Sequence, residues 1–234
     1  MIRLLLDVGN TRIKYALDRG PMAAVVHEGD VARAMAWVLG DAGAVDELVF
    51  VDVTGAARAA LGAQAARQLV SSAAACGVVN GYAEPATLGA DRWAALIGAR
   101  HLHEGPCVVV NAGTTMTLDA LSSESIFLGG CIVPGFELMR GALAANTAQL
   151  ALRPGEFSFF PDNTGDAIAS GALNALAGAV ERMCRYLADT GEGDPVIVLS
   201  GGNAPLLEPL LNGRAQLVDN LVLEGLVLIG ASDV

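Results

Sequence analysis

This 234-residue chain predicts an α/β fold of two similar lobes, and three observations carry that prediction. The first is an internal echo. Asp7-Val8-Gly9-Asn10-Thr11 returns, 104 positions on, as Asn111-Ala112-Gly113-Thr114-Thr115. Each copy lies between apolar, strand-like runs: residues 2–6 and 12–17 around the first, 107–110 and 116–120 around the second. A repeat of that length is too long for a solenoid and reads as two related half-domains facing one cleft. The second observation is the alternation of strand-like and helical-period segments, which implies a mixed sheet flanked by helices in each lobe. The third is the lack of a low-complexity linker. The division near residue 105 therefore separates a lobe of residues 1–105 from one of residues 106–234, with no flexible joint between them.

The elements follow in order. A strand pair over 2–17 turns at Gly9 and Asn10, and residues 18–30 are a polar loop with some β structure. Apolar positions at helical spacing predict a helix over 31–39. Residues 48–53 are a buried-type strand, followed by an Ala-rich helix over 56–70 and a short strand over 78–82. A turn at Glu84-Pro85 leads into Leu88-Gly89-Ala90-Asp91-Arg92 and a helix over 93–103, for which Asp91 reads as an N-cap. The second half begins near Gly105-Pro106, with strands at 107–111, 116–120 and 126–133. A helix follows Pro134-Gly135. Residues 156–162 form a loop whose aromatics, at 157, 159 and 160, suggest packing against a surface. A long helix covers 164–187, capped by Asn163 or Thr164. A strand over 195–199 ends in Ser200-Gly201-Gly202-Asn203, and a last helix covers 222–229.

Composition narrows the function. Apolar residues make up 53% of the chain, enough for a well-buried core, and its many Ala and Gly residues suit closely packed helices. A net charge of −11 and a pI near 4.6 argue against nucleic acid, whose phosphates need a basic surface. Cys76, Cys107, Cys131 and Cys184 lack metal-ligand spacing and read as buried free thiols of a reducing compartment. His101 and His103, two apart, do not share a helix face. The N-terminal apolar run is too short for a signal segment, and the apolar region 126–143 is broken by Gly, Pro, Glu137 and Arg140. The expectation is a cytoplasmic protein with no membrane partner.

The echoed turns carry the chemistry. A strand, a Gly turn and a strand leave backbone N–H groups free to cradle phosphate oxygens, and glycine admits a ligand close to the backbone. Asp7 adds a carboxylate able to hold Mg²⁺. Asp, Gly and Asn are also ordinary turn residues, and Gly201-Gly202 alone could be a simple tight turn. Taken together, the three turns point to an enzyme that uses a nucleotide.

In this order they resemble the two phosphate motifs and the adenosine motif of the acetate and sugar kinase, heat-shock chaperone and actin superfamily. The resemblance narrows to the type III pantothenate kinases. The family's Asp-x-Gly-Asn-Thr-x-x-Lys is matched by Asp7 to Lys14, and its Leu-Gly-x-Asp-Arg by Leu88 to Arg92. Its second phosphate loop is matched at Gly113-Thr114, with Thr117 and Asp119 beyond, and its Gly-Gly-x-Ile-x-Pro-Gly by Gly129 to Pro134-Gly135. Its Asn-Thr-x-x-Ala-Ile is matched by Asn163 to Ile168. The resemblance implies two actin-like (ribonuclease H-like) lobes with an interlobe cleft. The implied activity is ATP-dependent phosphorylation of pantothenate, the first step toward coenzyme A.

The resemblance also implies roles. Asp91 would accept the proton of the pantothenate hydroxyl, while Asp7 would hold Mg²⁺ directly or through water. Asn10, Thr11 and Thr114, with the amides of Gly9 and Gly113, would surround the phosphates, and Gly201 and Gly202 would lie against the nucleoside. Lys14 would add positive charge, or be a solvated surface cation. Gly89 and Arg92 would meet the substrate; Tyr82 would join them, or serve as a core tyrosine. Thr164 would reach the partner's site in a homodimer, although its helix could equally pack within its own lobe. Asn111 stands where the family usually has an Asp tied to a monovalent cation (K⁺ or NH₄⁺), so either the cation dependence is altered or Asp119 or Asp7 compensates. Two alternatives are a kinase of another small hydroxylated substrate and a catalytically silent, regulatory relative.

Overall fold

In the computed structural model, which describes residues 2–18, 20–62, 65–147 and 153–232, the chain forms two compact units. The first holds Met1–Glu104, Ser125–Phe127 and Asn220–Val234; the second holds Gly105–Glu124 and Leu128–Asp219.

The first unit begins with β1 (Arg3–Val8), β2 (Arg12–Leu17), β3 (Ala23–Val26), α1 (Val31–Ala42), β4 (Glu47–Asp52), α2 (Ala57–Leu61) and β5 (Ala66–Gln68). The strands lie in the order β3-β2-β1-β4-β5, antiparallel from β3 to β1 and parallel from β1 to β5. Side chains alternate across a strand. Leu4, Leu6, Val8, Ile13 and Tyr15 therefore share one face, where they meet Met35 and Val38 of α1 and Leu61 of α2. The same alternation sends Asp7 and its register partner Lys14 to the opposite face. Asp30 starts α1 by accepting the Arg33 N–H at 2.9 Å.

The helix expected over 56–70 ends at Leu61. Gly62 has a positive φ of 58°, and Ala66–Gln68 pairs with the edge of β4, so sheet pairing overrides the helix propensity of the alanines. Residues 63–64 of that expected helix lie outside the described residues. After β6 (Ala74–Ala75) and β7 (Val78–Asn80) comes α3 (Ala90–Leu102). Its N-cap is Gly89, which puts Asp91 inside the first turn and not at the cap.

The second unit repeats the plan with β8 (Cys107–Ala112), β9 (Thr115–Leu121), β10 (Ile126–Pro134, of which Ile126 and Phe127 count with the first unit), α4 (Phe136–Asn146), α5 (Thr164–Leu187), β11 (Val196–Ser200), α6 (Ala204–Leu207) and β12 (Ala215–Leu217). Its strands follow the order β12-β11-β8-β9-β10. As in the first unit, a hairpin (β8 with β9) is extended by parallel strands (β8, β11, β12). Val108, Val110, Met116 and Leu118 face Ala169, Leu173, Leu176 and Val180 of α5. Asn163 caps α5 through the Asp166 N–H at 3.0 Å. Of the three loop aromatics, Phe157 packs on this core, while Phe159 and Phe160 are 84% and 93% exposed. The four cysteines are free; Cys107 and Cys184 are buried, but Cys76, in the surface turn between β6 and β7, and Cys131, on an exposed stretch of β10, are not.

The chain then returns to the first unit as α7 (Leu221–Ala231), which packs on α3. Small residues permit this close approach. A Cβ on Gly225 would collide with the Ala94 carbonyl, and one on Gly98 would lie 2.5 Å from the Leu221 oxygen.

Candidate active site

The first echoed turn joins β1 to β2. Asp7, 6% exposed, is the last β1 residue on the face opposite α1, and Lys14 directly across from it places its Nζ 3.2 Å from Asp7 Oδ2. The Gly9 N–H donates to the Arg12 carbonyl at 3.0 Å, which leaves Asn10 and Thr11 exposed at the tip.

Asp91 lies within electrostatic reach of Asp7. Burial pushes its carboxyl above the usual carboxylate range, and the Asp7 charge adds to the rise. The Arg92 N–H and guanidinium oppose it without cancelling it. Gly89 makes room for this carboxylate, since a Cβ there would stand 2.7 Å from Asp91 Oδ1. The cation of Arg92, 6% exposed, is stabilised by aromatic faces. Its guanidinium carbon is 5.7 Å from the Tyr82 ring centre and 5.8 Å from that of Phe127, and Nη1 donates to the Tyr82 hydroxyl at 3.1 Å. Tyr82 is half-buried and tied to Arg92.

The second turn joins β8 to β9 and is one residue shorter, with the Gly113 N–H donating to the Thr115 carbonyl at 3.0 Å. Backbone encloses it. The Gly135 N–H donates to Thr114 O at 2.9 Å, and a Cβ on Gly135 would collide with the carbonyl oxygens of Gly113 and Thr114. From the other side, Gly201 holds a positive φ of 104° with its α-carbon against Ala112, where a Cβ would stand 2.5 Å from the carbonyl oxygen. The Asn203 N–H donates to Ala112 O at 2.9 Å, and its Nδ2 to Gly113 O at 3.2 Å. Gly202 remains exposed in that turn. Asn111 pairs in register with Thr117, on the face that also carries Asp119, which is 1% exposed. Thr164 is the exposed first residue of α5.

The first unit thus gathers Asp7, Lys14 and Asp91, with Gly89, Arg92 and Tyr82 continuing from Asp91. The second gathers Gly113, Thr114, Gly201 and Gly202 around one turn. Sequence reasoning missed Phe127 as the second ring under Arg92, Asn203 as a brace, and His27, whose Nε2 lies 2.9 Å from Gly9 O. Of these, Asn203 was legible, since it follows the Gly-Gly turn directly. Among the described residues, no three His, Cys, Asp or Glu side chains cluster to enclose a metal. Mg²⁺ needs no such cage when phosphate oxygens complete its shell, and the Asp7 carboxylate fits that requirement.

The fold defines the class, that of the actin-like ATPase fold. The chain superposes with a TM-score of 0.65 on a Campylobacter jejuni protein described as a Baf family transcriptional activator, at 21% identity over 95% of this chain and 94% of that one. An archaeal actin homologue matches with a TM-score of 0.55 at 12% identity, over 99% of each chain. The family is narrower. The family model for type III pantothenate kinase matches residues 3–186. A type III pantothenate kinase of Aromatoleum aromaticum is 48% identical, with 98% of each chain covered, and one of an Azoarcus species is 45% identical, over 98% of this chain and 91% of that one. The chain belongs to the type III pantothenate kinase family.

Proposed function

We propose that the chain transfers the γ-phosphoryl group of ATP to the primary hydroxyl of pantothenate, giving 4′-phosphopantothenate and ADP, the first step toward coenzyme A. The observation that carries this reading is Asp91, a half-buried carboxylate of raised basicity at the first turn of α3, beside Asp7. Asp91 accepts the hydroxyl proton as the new oxygen–phosphorus bond forms and the bond to the bridging oxygen of ADP breaks. Its raised pKa makes it the stronger base, and Gly89 keeps its oxygen in place.

Asp7 would hold Mg²⁺, which when bound offsets phosphate charge, and Lys14 balances Asp7. Asn10, Thr11 and Thr114 donate to the phosphates, while the Gly9 and Gly113 N–H groups, expected to join them, are engaged by the Arg12 and Thr115 carbonyls and shape the two turns instead. The bare backbone of Gly201 and Gly202 lies against the nucleoside. Arg92 and Tyr82 orient pantothenate. A homodimer places Thr164 in the partner's site, and the exposed Phe159 and Phe160 nearby in the chain supply apolar surface for a second copy. At Asn111 a monovalent cation finds an amide oxygen without a charge, so dependence on K⁺ or NH₄⁺ is altered. No helix among the described residues is long and apolar enough to cross a membrane.

The test is product identification. Phosphorus NMR of a reaction with ATP, Mg²⁺, K⁺ and pantothenate will show a pantothenate phosphomonoester. Its absence, with ATP and pantothenate intact, overturns the reading.

A further inference from the structure

We propose that His27 is a positioning residue that locks the Gly9–Asn10 peptide with its N–H turned outward, toward a bound phosphate. His27 is 4% exposed and has partners at both ring nitrogens. The Gly29 N–H donates to Nδ1 at 3.1 Å, so Nδ1 carries the lone pair and Nε2 the proton. Nε2 then donates to Gly9 O at 2.9 Å. The His27 N–H also donates to Thr11 O at 3.2 Å, gripping the turn at a second carbonyl.

Peptide geometry converts that grip into orientation. No peptide bond among the described residues is cis, and in a trans peptide C=O and N–H point in opposite directions. Holding Gly9 O toward His27 therefore aims the Asn10 N–H away from it, to the exposed side of the turn. Among the described residues Asn10 makes no hydrogen bond, so this donor is available to an anion. Without the grip, rotation of the one peptide unit would present a carbonyl oxygen instead, which repels phosphate. The chain accepts strain to seat the ring: Glu28 has a positive φ of 49° and Gly29 one of 90°, which brings the Gly29 N–H back to Nδ1.

The proposal rests on the reading of this turn as a phosphate cradle, and MgADP binding tests the two separately. His27→Gln keeps a donor for Gly9 O, while His27→Met has a similar shape and none. The Met variant should bind MgADP about tenfold more weakly by calorimetry, the worth of one hydrogen bond, and raise KM for ATP alike. KM for pantothenate should hold, and the Gln variant should stay near wild type. Equal affinity in wild type and a folded Met variant, or equal loss in both variants, would overturn the lock while leaving the cradle intact. Failure of the wild type to bind MgADP would overturn both. If the Met variant does not fold, the wild type decides: its Asn10 amide resonance must shift strongly on adding MgADP, and an unmoved resonance counts against the proposal.

Discussion

The two echoed turns share a strand plan and differ in what holds them. The first is charged: Asp7 faces Lys14, Asp91 stands close by, and the ring of His27 grips its backbone. The second is neutral: Asn111 faces Thr117, and the turn is clamped by backbone at Gly135, Gly201 and Asn203. Side chains position the first and main chain positions the second. One strand plan is thus held in two ways, and on the proposed reading the first turn carries the chemistry while the second is a fixed cradle.

The largest way to break the comparison is Asp91→Asn. Turnover should fall by about 10²- to 10⁴-fold, the usual worth of a positioned base. Stability should move the other way. A carboxyl whose folded pKa is raised binds more protons folded than unfolded, so stability falls as pH rises through that range. Removing the charge should therefore raise Tm at neutral pH and flatten its pH dependence, and a lower Tm would refute the assignment. In the wild type, kcat should fall on acidification at a higher pH than an ordinary carboxylate would give, because the base must be ionised.

Next in size is a pair of glycines. Gly135→Ala drives a Cβ into two carbonyl oxygens and should cost about 1–3 kcal/mol in denaturant titration, as overpacking does. Gly9→Ala meets only the Arg12 carbonyl at 3.4 Å, an ordinary contact, and should leave stability nearly unchanged. Equal losses would erase the distinction between a turn held by side chains and one held by backbone.

Gly89→Ala sharpens it further. Its added Cβ meets the free end of a side chain, the Asp91 carboxylate, so the chain can fold while the base is displaced. The expected result is a lower kcat with little change in Tm; a fall in Tm alone would make Gly89 a packing residue. The smallest effect is Asn111→Asp, which gives the second turn the first turn's charge. Activity titrated against K⁺ and NH₄⁺ should become more cation-dependent, and identical titrations would dismiss Asn111 as the cause.

Legibility followed the locality of the signals. α5 was read at both ends because Asn163 caps it and its apolar spacing runs on, and the echoed turns were visible because each glycine follows its Asp7 or Asn111 by two residues in the chain. The strand Ala66–Gln68 was hidden, because alanine-rich sequence favours a helix until the edge of β4 captures it. The environment of Asp91 depends on Asp7, 84 positions away, and that of Arg92 on Phe127, so residue spacing could name these groups without assembling them. His27 escaped notice because a lone histidine in a polar loop carries no pattern; its role comes from two backbone partners.

The most direct measurement is pantothenate-dependent ADP release, in a coupled assay with ATP, Mg²⁺ and K⁺, for the wild type beside Asp91→Asn. The account predicts steady turnover in the wild type and its collapse in a variant that is folded and thermally no weaker. Turnover that survives the substitution would contradict Asp91 as the base and remove the charged turn's claim to the chemistry.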